Sequence, residues 1–188
     1  MGIKSKKRGG HFVQQARIGL DIGRVIINPA GTHGKEDTSF LGGSDANAME
    51  TPPSPGAFEV IRELVEFYEG RVWLVSKCGP RIQRRSRDWL RHQRFYEQTG
   101  LDRKNLRFCL KRPDKAIHCR QLQLTHFVDD RLDVLRHLRG VTPSRYLFGH
   151  QKPKVQIPDW VTPVTDWAEV RAALLPAGGP AAGLRPTG

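Results

Sequence analysis

Several polar residues that could perform chemistry stand where short apolar runs of the sequence end. Asp21 lies in the run RIGLDI, and Ser76 ends the run RVWLVS. The adjacent pair Asp129 and Asp130 follows the run THFV. Carboxylates that gather without paired bases repel one another unless a cation lies between them, and Mg²⁺ prefers such oxygen ligands. A carboxylate beside that ion can attack phosphorus, so these residue types fit phosphoryl transfer if the fold brings them together.

The elements that would position these residues alternate along the chain. Apolar runs predict strands at residues 17–22, 71–76, 106–110, 125–129 and 145–148. Apolar residues at helical spacing predict helices at residues 55–69, 80–95, 113–122, 130–138 and 166–175. This alternation predicts a three-layer, Rossmann-like α/β fold with a parallel sheet covered on both faces. Ligands bind at the carboxyl ends of the strands in such sheets, which is where the polar residues fall.

The order of these motifs resembles that of the haloacid-dehalogenase superfamily. Residues 20–26, LDIGRVI, are similar to its first motif, an aspartate at a strand end before a tight turn. Val75 and Ser76 are similar to the second motif, and residues 127–131, FVDDR, to the fourth. The resemblance covers residues 16–150 and implies a haloacid-dehalogenase-like hydrolase, most similar to the phosphatases.

The third motif of that superfamily is a lysine, which would lie in the helix before the fourth strand. Lys115 suits it, and Lys111 is the alternative, because the linker after the third strand leaves the alignment open. A lysine there places a positive charge against the nucleophile and the phosphate, which stabilises the transition state.

The resemblance implies a role for each of the other matched residues. Asp21 is the expected nucleophile, which forms an aspartyl-phosphate, and Ser76 is expected to donate a hydrogen bond to the phosphoryl group. Lys77 and Arg81, which follow Ser76, are expected to contact substrate. Asp130 is also a candidate N-cap of the next helix. The expected cofactor is Mg²⁺, with ligands from Asp21, the backbone carbonyl of Gly23, Asp129 and Asp130.

Gly23 departs from the pattern of most phosphatases in the superfamily, which carry a second aspartate at this position as general acid and base. The backbone carbonyl survives the change, but the proton shuttle does not. General acid–base help contributes roughly 10²–10⁴-fold, so turnover is expected to be slow unless another group substitutes. His33, Glu36 and Asp37 are near enough in sequence to be candidates.

The segment from residue 27 to residue 54 is rich in Gly, Pro, Ser and Asp. It is too short and too polar for a helical cap domain, and helix and strand occupy the span between Ser76 and Lys115. The sequence therefore resembles the capless members, whose exposed sites suit macromolecular substrates. A loop of this length is either a surface connection or a lid over the site.

Basic residues outnumber acidic ones by 31 to 19, giving a net charge of +12, which attracts polyanions. The helix from Pro80 concentrates this charge, because it carries six arginines and one acid, Asp88. The arginines are Arg81, Arg84, Arg85, Arg87, Arg91 and Arg94. Arginine binds phosphate bidentately, so the expected partners are a phosphorylated substrate and, as a further expectation, nucleic acid or another polyanion.

The remaining composition bounds the organisation of the chain. Residues 1–15 predict a disordered basic arm, residues 16–175 one α/β domain, and residues 176–188 a flexible Pro/Gly/Ala tail. No apolar run approaches the ~20 residues that span a bilayer, so a cytoplasmic protein without a membrane partner is expected. The three cysteines are widely spaced and predict buried thiols rather than disulfides or a zinc site.

Three functions are compatible with these features. The first is an Mg²⁺-dependent phosphatase acting on a phosphate ester, including a nucleic-acid end. The second is an attenuated module that binds a phosphorylated polyanion, which Gly23 motivates. The third is a dehalogenase-type hydrolase, which ranks lowest because the pair Asp129 and Asp130 suits a metal that halide displacement does not require.

Overall fold

The computed structural model describes residues 16–28 and 39–176. Within this part of the chain six strands form one parallel sheet with the order β3-β2-β1-β4-β5-β6. They are β1 (Ile18–Leu20), β2 (Val72–Lys77), β3 (Leu106–Cys109), β4 (His126–Asp129), β5 (Ser144–Phe148) and β6 (Thr162–Val164). The chain adds strands outward from β1 to β3 and then returns to the other side of β1. The switch point, where α/β sheets bind ligands, therefore lies between β1 and β4.

Helices cover both faces of this sheet. In the described residues they are α1 (Ser39–Gly42), α2 (Asp45–Met49), α3 (Ala57–Phe67), α4 (Pro80–His92), α5 (Phe95–Thr99), α6 (Lys115–Gln121), α7 (Leu132–His137) and α8 (Trp167–Leu174). Two 3-10 turns, Arg103–Asn105 and Arg112–Asp114, precede β3 and α6. This arrangement confirms the predicted three-layer α/β fold.

The apolar residues of the strands explain the two layers of helices. Successive side chains of a strand point to opposite faces, so β2 sends Val72 and Leu74 to one face and Trp73 and Val75 to the other. The first face packs against α3, α4, α5 and α8, and the second against α6 and α7. Burial on both faces is why the strands of a parallel sheet read as continuous apolar runs.

The strand register brings the predicted site residues to one edge. Leu20 is paired with Leu74 of β2 and with Val128 of β4. The backbone N–H of Asp21 continues the pairing with β4 by donating to the carbonyl of Val128 at 3.0 Å. Asp21 and Asp129 therefore lie side by side at the carboxyl ends of adjacent strands.

Several elements differ from the sequence prediction. β6 was not predicted, because it is only three residues long and contains Pro163, which is tolerated on this edge strand. The predicted helix over residues 80–95 is two helices, since Arg94 adopts a left-handed φ of 50° between α4 and α5. α1 and α2 were also not predicted, and they lie in the segment expected to be a loop.

The segment before α3 is anchored to the body of the protein and forms no separate cap domain in its described part. The Ile27–Pro53 bridge closes its base, and the indole of Trp89 donates to the carbonyl of Thr51 at 2.8 Å. Phe40 of α1 and Ala48 of α2 are buried in the apolar core. The connection from β2 to β3 holds only α4, α5 and a 3-10 turn.

The predicted N-terminal arm and nearly all of the predicted C-terminal tail lie outside the described residues, as do His33, Glu36 and Asp37. Among the described helices none is long and apolar enough to cross a membrane. The domain boundaries and the cytoplasmic location stay predictions.

Candidate active site

Lys115 is the centre of a buried charge cluster at the carboxyl edge of the sheet. It begins α6 and is 1% exposed. Its Nζ lies 2.6 Å from Oδ2 of Asp129 and 2.8 Å from Oδ1 of Asp21. Burial alone would lower the pKa of Lys115, but the carboxylates of Asp129 and Asp21 outweigh this and raise it. The lysine therefore carries a positive charge between two carboxylates.

Lys111, the alternative for this position, lies elsewhere. Lys111 is exposed at the start of the 3-10 turn before α6, and its backbone N–H donates to Oδ2 of Asp114 at 3.3 Å. The turn changes the direction of the chain so that Lys115, four residues later, points its amine into the sheet edge. The structure thus places Lys115, and not Lys111, beside Asp21.

Asp129 and Asp130 end β4 and differ in environment. Asp129 is fully buried, and its Oδ1 accepts a hydrogen bond from the backbone N–H of Arg131 at 2.9 Å. Burial raises the pKa of Asp129, with Lys115 opposing the shift. Burial and the neighbouring Asp21 likewise raise the pKa of Asp130 to about 6, against the effect of Arg24. Asp130 does not cap α7, whose N-cap residue is Arg131.

The three carboxylates form a group that fits a divalent cation. Asp21, Asp129 and Asp130 each offer a ligand oxygen, and these atoms lie within 4.8 Å of one another. Oδ1 of Asp21 is buried and accepts no hydrogen bond of good geometry from the residues that the structure describes, although Lys115 is close. One lysine and the Arg24 guanidinium, 3.2 Å from Asp130, do not balance three carboxylates. Mg²⁺ binds oxygen ligands, carboxylates among them, so a site with only oxygen ligands and excess negative charge fits this ion.

Gly23 and Arg24 form the turn that follows Asp21. A Cβ added at Gly23 would meet no atom of the described residues within 4 Å, so packing against them does not require the glycine. Arg24 has a left-handed φ of 63°, a conformation that costs a side-chain-bearing residue about 1 kcal/mol. Its guanidinium reaches across the site mouth to Asp130. The turn therefore lacks a carboxylate and instead presents a cation.

Of the predicted substrate contacts at the end of β2, two face the site. Ser76 is 6% exposed and Lys77 is exposed, and both line the cleft above Asp21. Arg81 does not line this cleft, because its guanidinium donates to the backbone carbonyl of Leu41 at 2.9 Å. Substrate contact by Arg81 stays a prediction.

The cleft has a volume of ≈ 280 Å³. Phe40 and Leu41 of the segment before α3 contribute apolar side chains to its lining. Arg112 and Arg131, which sequence reasoning did not select, also line the cleft and are both paired with Asp133. Arg112 lies three residues before Lys115 and Arg131 directly after Asp130, and this closeness in sequence was the signal that could have identified them. The cleft thus combines a carboxylate floor with a basic rim, which suits an anionic substrate.

Arg85 is one of the six arginines expected to make the helix from Pro80 a polyanion-binding helix, but the structure buries it. It is 6% exposed and donates to the backbone carbonyls of Phe40 at 2.7 Å and Gly43 at 3.0 Å. It also pairs with Asp45 at 2.7 Å. This arginine anchors α1 and α2 to α4 and is not available to a polyanion.

All three cysteines are buried and unpaired, as predicted. Cys78 lines the cleft, but burial, with a contribution from Asp21, raises the pKa of its thiol to about 11. It is therefore a neutral thiol near pH 7, and thiolate catalysis is not indicated.

The fold is similar to that of solved hydrolases. D,D-heptose 1,7-bisphosphate phosphatase from Burkholderia thailandensis matches with a TM-score of 0.53 and 14% identity, over 85% of this chain and 98% of that one. A HAD-superfamily hydrolase from Ehrlichia chaffeensis matches with a TM-score of 0.55 and 9% identity, over 84% and 95%. A haloacid dehalogenase-like hydrolase from Burkholderia xenovorans LB400 matches with 0.54 and 13%, over 86% and 100%.

These similarities show that the chain has the haloacid-dehalogenase-like fold, as its motifs predicted. No protein-family model matches the sequence, and no curated protein matches it in sequence. A shared fold does not define a reaction, so the function has to be argued from the site.

Proposed function

We propose that this chain is an Mg²⁺-dependent phosphatase that cleaves phosphate esters through an aspartyl-phosphate on Asp21. The observation that carries the proposal is the buried Lys115, held between Asp21 and Asp129 with Asp130 close by. One of the structures with this fold is a phosphatase, which supports the same class of reaction.

In this proposal the reaction has two steps. A carboxylate oxygen of Asp21 forms a bond to phosphorus while the ester P–O bond breaks, and the leaving oxygen takes a proton from water. Water then attacks the aspartyl-phosphate, which releases inorganic phosphate and restores the Asp21 carboxylate. Ser76 donates a hydrogen bond to a phosphoryl oxygen during both steps.

The charges of the chain support these steps. Lys115 holds Asp21 in place and opposes the negative charge that builds up on the phosphoryl oxygens. Bound Mg²⁺ would be held by Asp21, Asp129, Asp130 and the Gly23 carbonyl, and it would offset the repulsion between carboxylate and phosphate. Lys77 and Arg112 at the rim would attract the substrate phosphate.

Gly23 sets the expected rate. Gly23 supplies no carboxylate beside the leaving oxygen, so in this proposal the proton comes from solvent. Aryl phosphates, whose leaving group needs no protonation, are therefore expected to react faster than alkyl phosphates.

Phosphate release tests the proposal. We expect purified protein to hydrolyse 4-nitrophenyl phosphate with Mg²⁺ and to lose the activity with EDTA or with Asp21→Asn. Asp159→Asn, at an exposed aspartate outside the cleft, is the matched control and should keep the activity. A folded protein that releases no phosphate from a broad panel of phosphoesters would refute the proposal.

A second candidate function is recognition of a phosphorylated polyanion such as a nucleic acid. The observation that favours it is a stripe of exposed arginines on one face of α4, at positions 84, 87 and 91, and continuing to position 94. The guanidinium of Arg87 stacks over Phe108, which holds it at the surface of the edge strand β3. The arginines lie on the helix that leaves the site at Ser76, so the same molecule could supply the phosphate ester.

The salt dependence of binding tests whether these arginines of α4 form the binding surface. The affinity for a polyanion bound by these arginines should fall steeply as the salt concentration rises. For a single strand, the logarithm of the binding constant falls with the logarithm of the salt concentration with a slope of about 0.7 per phosphate contact. The triple variant Arg84→Gln, Arg87→Gln and Arg94→Gln should have a slope lower by about two. An unchanged slope would exclude this face of α4 as the binding surface.

A further inference from the structure

A second cleft lies beside the proposed active site. It has a volume of ≈ 570 Å³ and is formed by α7 and by the loop that follows β5. Arg24, Asp130 and Arg131 line both this cleft and the active-site cleft. The two spaces are therefore neighbours that share a wall, and one ligand can extend from the first into the second.

The second cleft carries two cations that no acid in the described part of the chain neutralises. Arg136, in the last turn of α7, and Lys152, in the loop after β5, are both exposed and form no ion pair with any other described residue. The acids of this cleft are already engaged, because Asp130 pairs with Arg24 and Asp133 with Arg131 and Arg112. The cleft therefore offers two available positive charges to an incoming anion.

Part of the lining of the second cleft is apolar. Phe148 at the end of β5, Leu132 at the start of α7 and Val155 of the loop form this part of the lining. These apolar residues can contact the uncharged ring of a sugar or a base, while Arg136 and Lys152 contact an anion.

Arg24 stands between the two clefts in a strained conformation. Its left-handed φ of 63° would be free of cost for a glycine, yet the position holds an arginine whose guanidinium meets Asp130. Strained residues of this kind concentrate at ligand sites. This arginine places a positive charge at the passage from the catalytic carboxylates to the second cleft.

We propose that the second cleft binds a second phosphate group of the same substrate molecule whose phosphate ester is cleaved at Asp21. Arg136 and Lys152 contact this distal phosphate, and Arg24 lies between the two phosphate positions. The proposal rests on the proposed phosphatase function and narrows its substrate class to molecules with two phosphates. Two sources share this chemistry, a small bisphosphate and a nucleic-acid end with its neighbouring phosphodiester.

Paired ligands test the proposal independently of turnover. We would titrate Asp21→Asn protein in Mg²⁺ by calorimetry with fructose 6-phosphate and fructose 1,6-bisphosphate. A second pair is thymidine 5′-phosphate and the 5′-phosphorylated thymidine dinucleotide. We expect the second phosphate to tighten binding about tenfold in at least one pair, the size of one charge-assisted contact. In the Arg136→Gln/Lys152→Gln variant this gain should fall below about threefold.

The controls separate the possible outcomes. Arg62→Gln removes an exposed arginine of α3 that lines neither cleft, and it should leave the gain unchanged. A gain confined to the sugar pair assigns the cleft to small bisphosphates, and one confined to the nucleotide pair assigns it to nucleic-acid ends. No gain in either pair, or a gain that survives the double variant, would overturn the proposal.

A kinetic measurement covers the case in which Asp21→Asn does not fold. With Asp21 intact, the Arg136→Gln/Lys152→Gln variant should have a KM for the preferred bisphosphate that is raised about tenfold. Its kcat and KM for 4-nitrophenyl phosphate should both be unchanged. Equal effects on both substrates would refute the distal site. If the protein hydrolyses neither, the proposed function fails, and the binding titration with the intact chain still decides on the second cleft.

Discussion

The amine of Lys115 and the carboxylate of Asp129 lie 2.6 Å apart, and both side chains are withdrawn from solvent. A buried ion pair is expensive to form and still more expensive to break, because removing one partner leaves an uncompensated charge. Removing Lys115 costs more free energy than removing one partner of a simple pair, since Asp21 shares the same lysine. The cluster is therefore a structural element as well as the proposed catalytic centre.

The first prediction concerns Lys115 itself. Lys115→Ala should lower the free energy of unfolding by about 3–5 kcal/mol, because Asp21 and Asp129 lose their shared cation. Mg²⁺ should restore part of this loss by binding the same carboxylates. Urea unfolding with EDTA and with Mg²⁺ measures both effects.

Lys111→Ala is the matched control for that experiment. Lys111 is an exposed lysine four residues earlier, and its replacement should change the free energy of unfolding by no more than about 0.5 kcal/mol. Similar losses for the two variants would contradict the proposed role of the buried amine.

The second prediction concerns the pH dependence of Mg²⁺ binding. The raised pKa of Asp130, about 6, lies above that of an aspartate in the unfolded chain. Its proton therefore stabilises the folded metal-free protein at low pH, and this contribution is lost as the pH rises through about 6. Mg²⁺ needs the ionised carboxylate, so its affinity should rise about tenfold between about pH 5 and about pH 7.

Calorimetric titration of Mg²⁺ across this range measures the effect. Burial also raises the pKa of Asp129, which adds to the dependence in the same direction. Asp130→Asn should bind Mg²⁺ more weakly and with a shallower pH dependence. If the variant and the original protein show equal slopes, Asp130 is not a ligand.

The third prediction concerns Arg85, the buried arginine of α4. Arg85→Gln should lower the free energy of unfolding by about 2 kcal/mol, since hydrogen bonds to the carbonyls of Phe40 and Gly43 are lost. The segment containing α1 and α2 should then become more sensitive to limited proteolysis. Arg84→Gln, at the exposed neighbouring position, should be within about 0.5 kcal/mol of the original protein.

Most of the fold could be predicted from the sequence because the strands are buried on both faces. Runs such as 71–76 contain little but apolar residues, and they read directly as β2. The break at Arg94 could not be predicted, because neither glycine nor proline marks it. β6 could not be predicted either, since three residues around Pro163 carry no period.

Some residues of the candidate site could likewise be predicted from the sequence, and others could not. Asp21, Ser76 and Asp129 could be located because a parallel sheet places strand ends together, whatever the separation in sequence. The burial of Arg85 depends on carbonyls about forty residues earlier, and the second cleft depends on a loop after β5. Contacts of this kind follow from tertiary packing and leave no local pattern in the sequence.

The fourth prediction concerns Gly23, in the turn after Asp21, where an added Cβ would contact none of the described residues. Gly23→Asp should raise kcat for alkyl phosphates by about 10²-fold, because a carboxylate at this position can protonate the leaving oxygen and activate water. The position has no left-handed φ, so the new side chain adds no backbone strain. Gly23→Asn has the same size but cannot transfer the proton, and it should give no gain. A gain in both variants would reveal an effect of packing, and a gain in neither would show that the remaining groups do not form a working phosphatase.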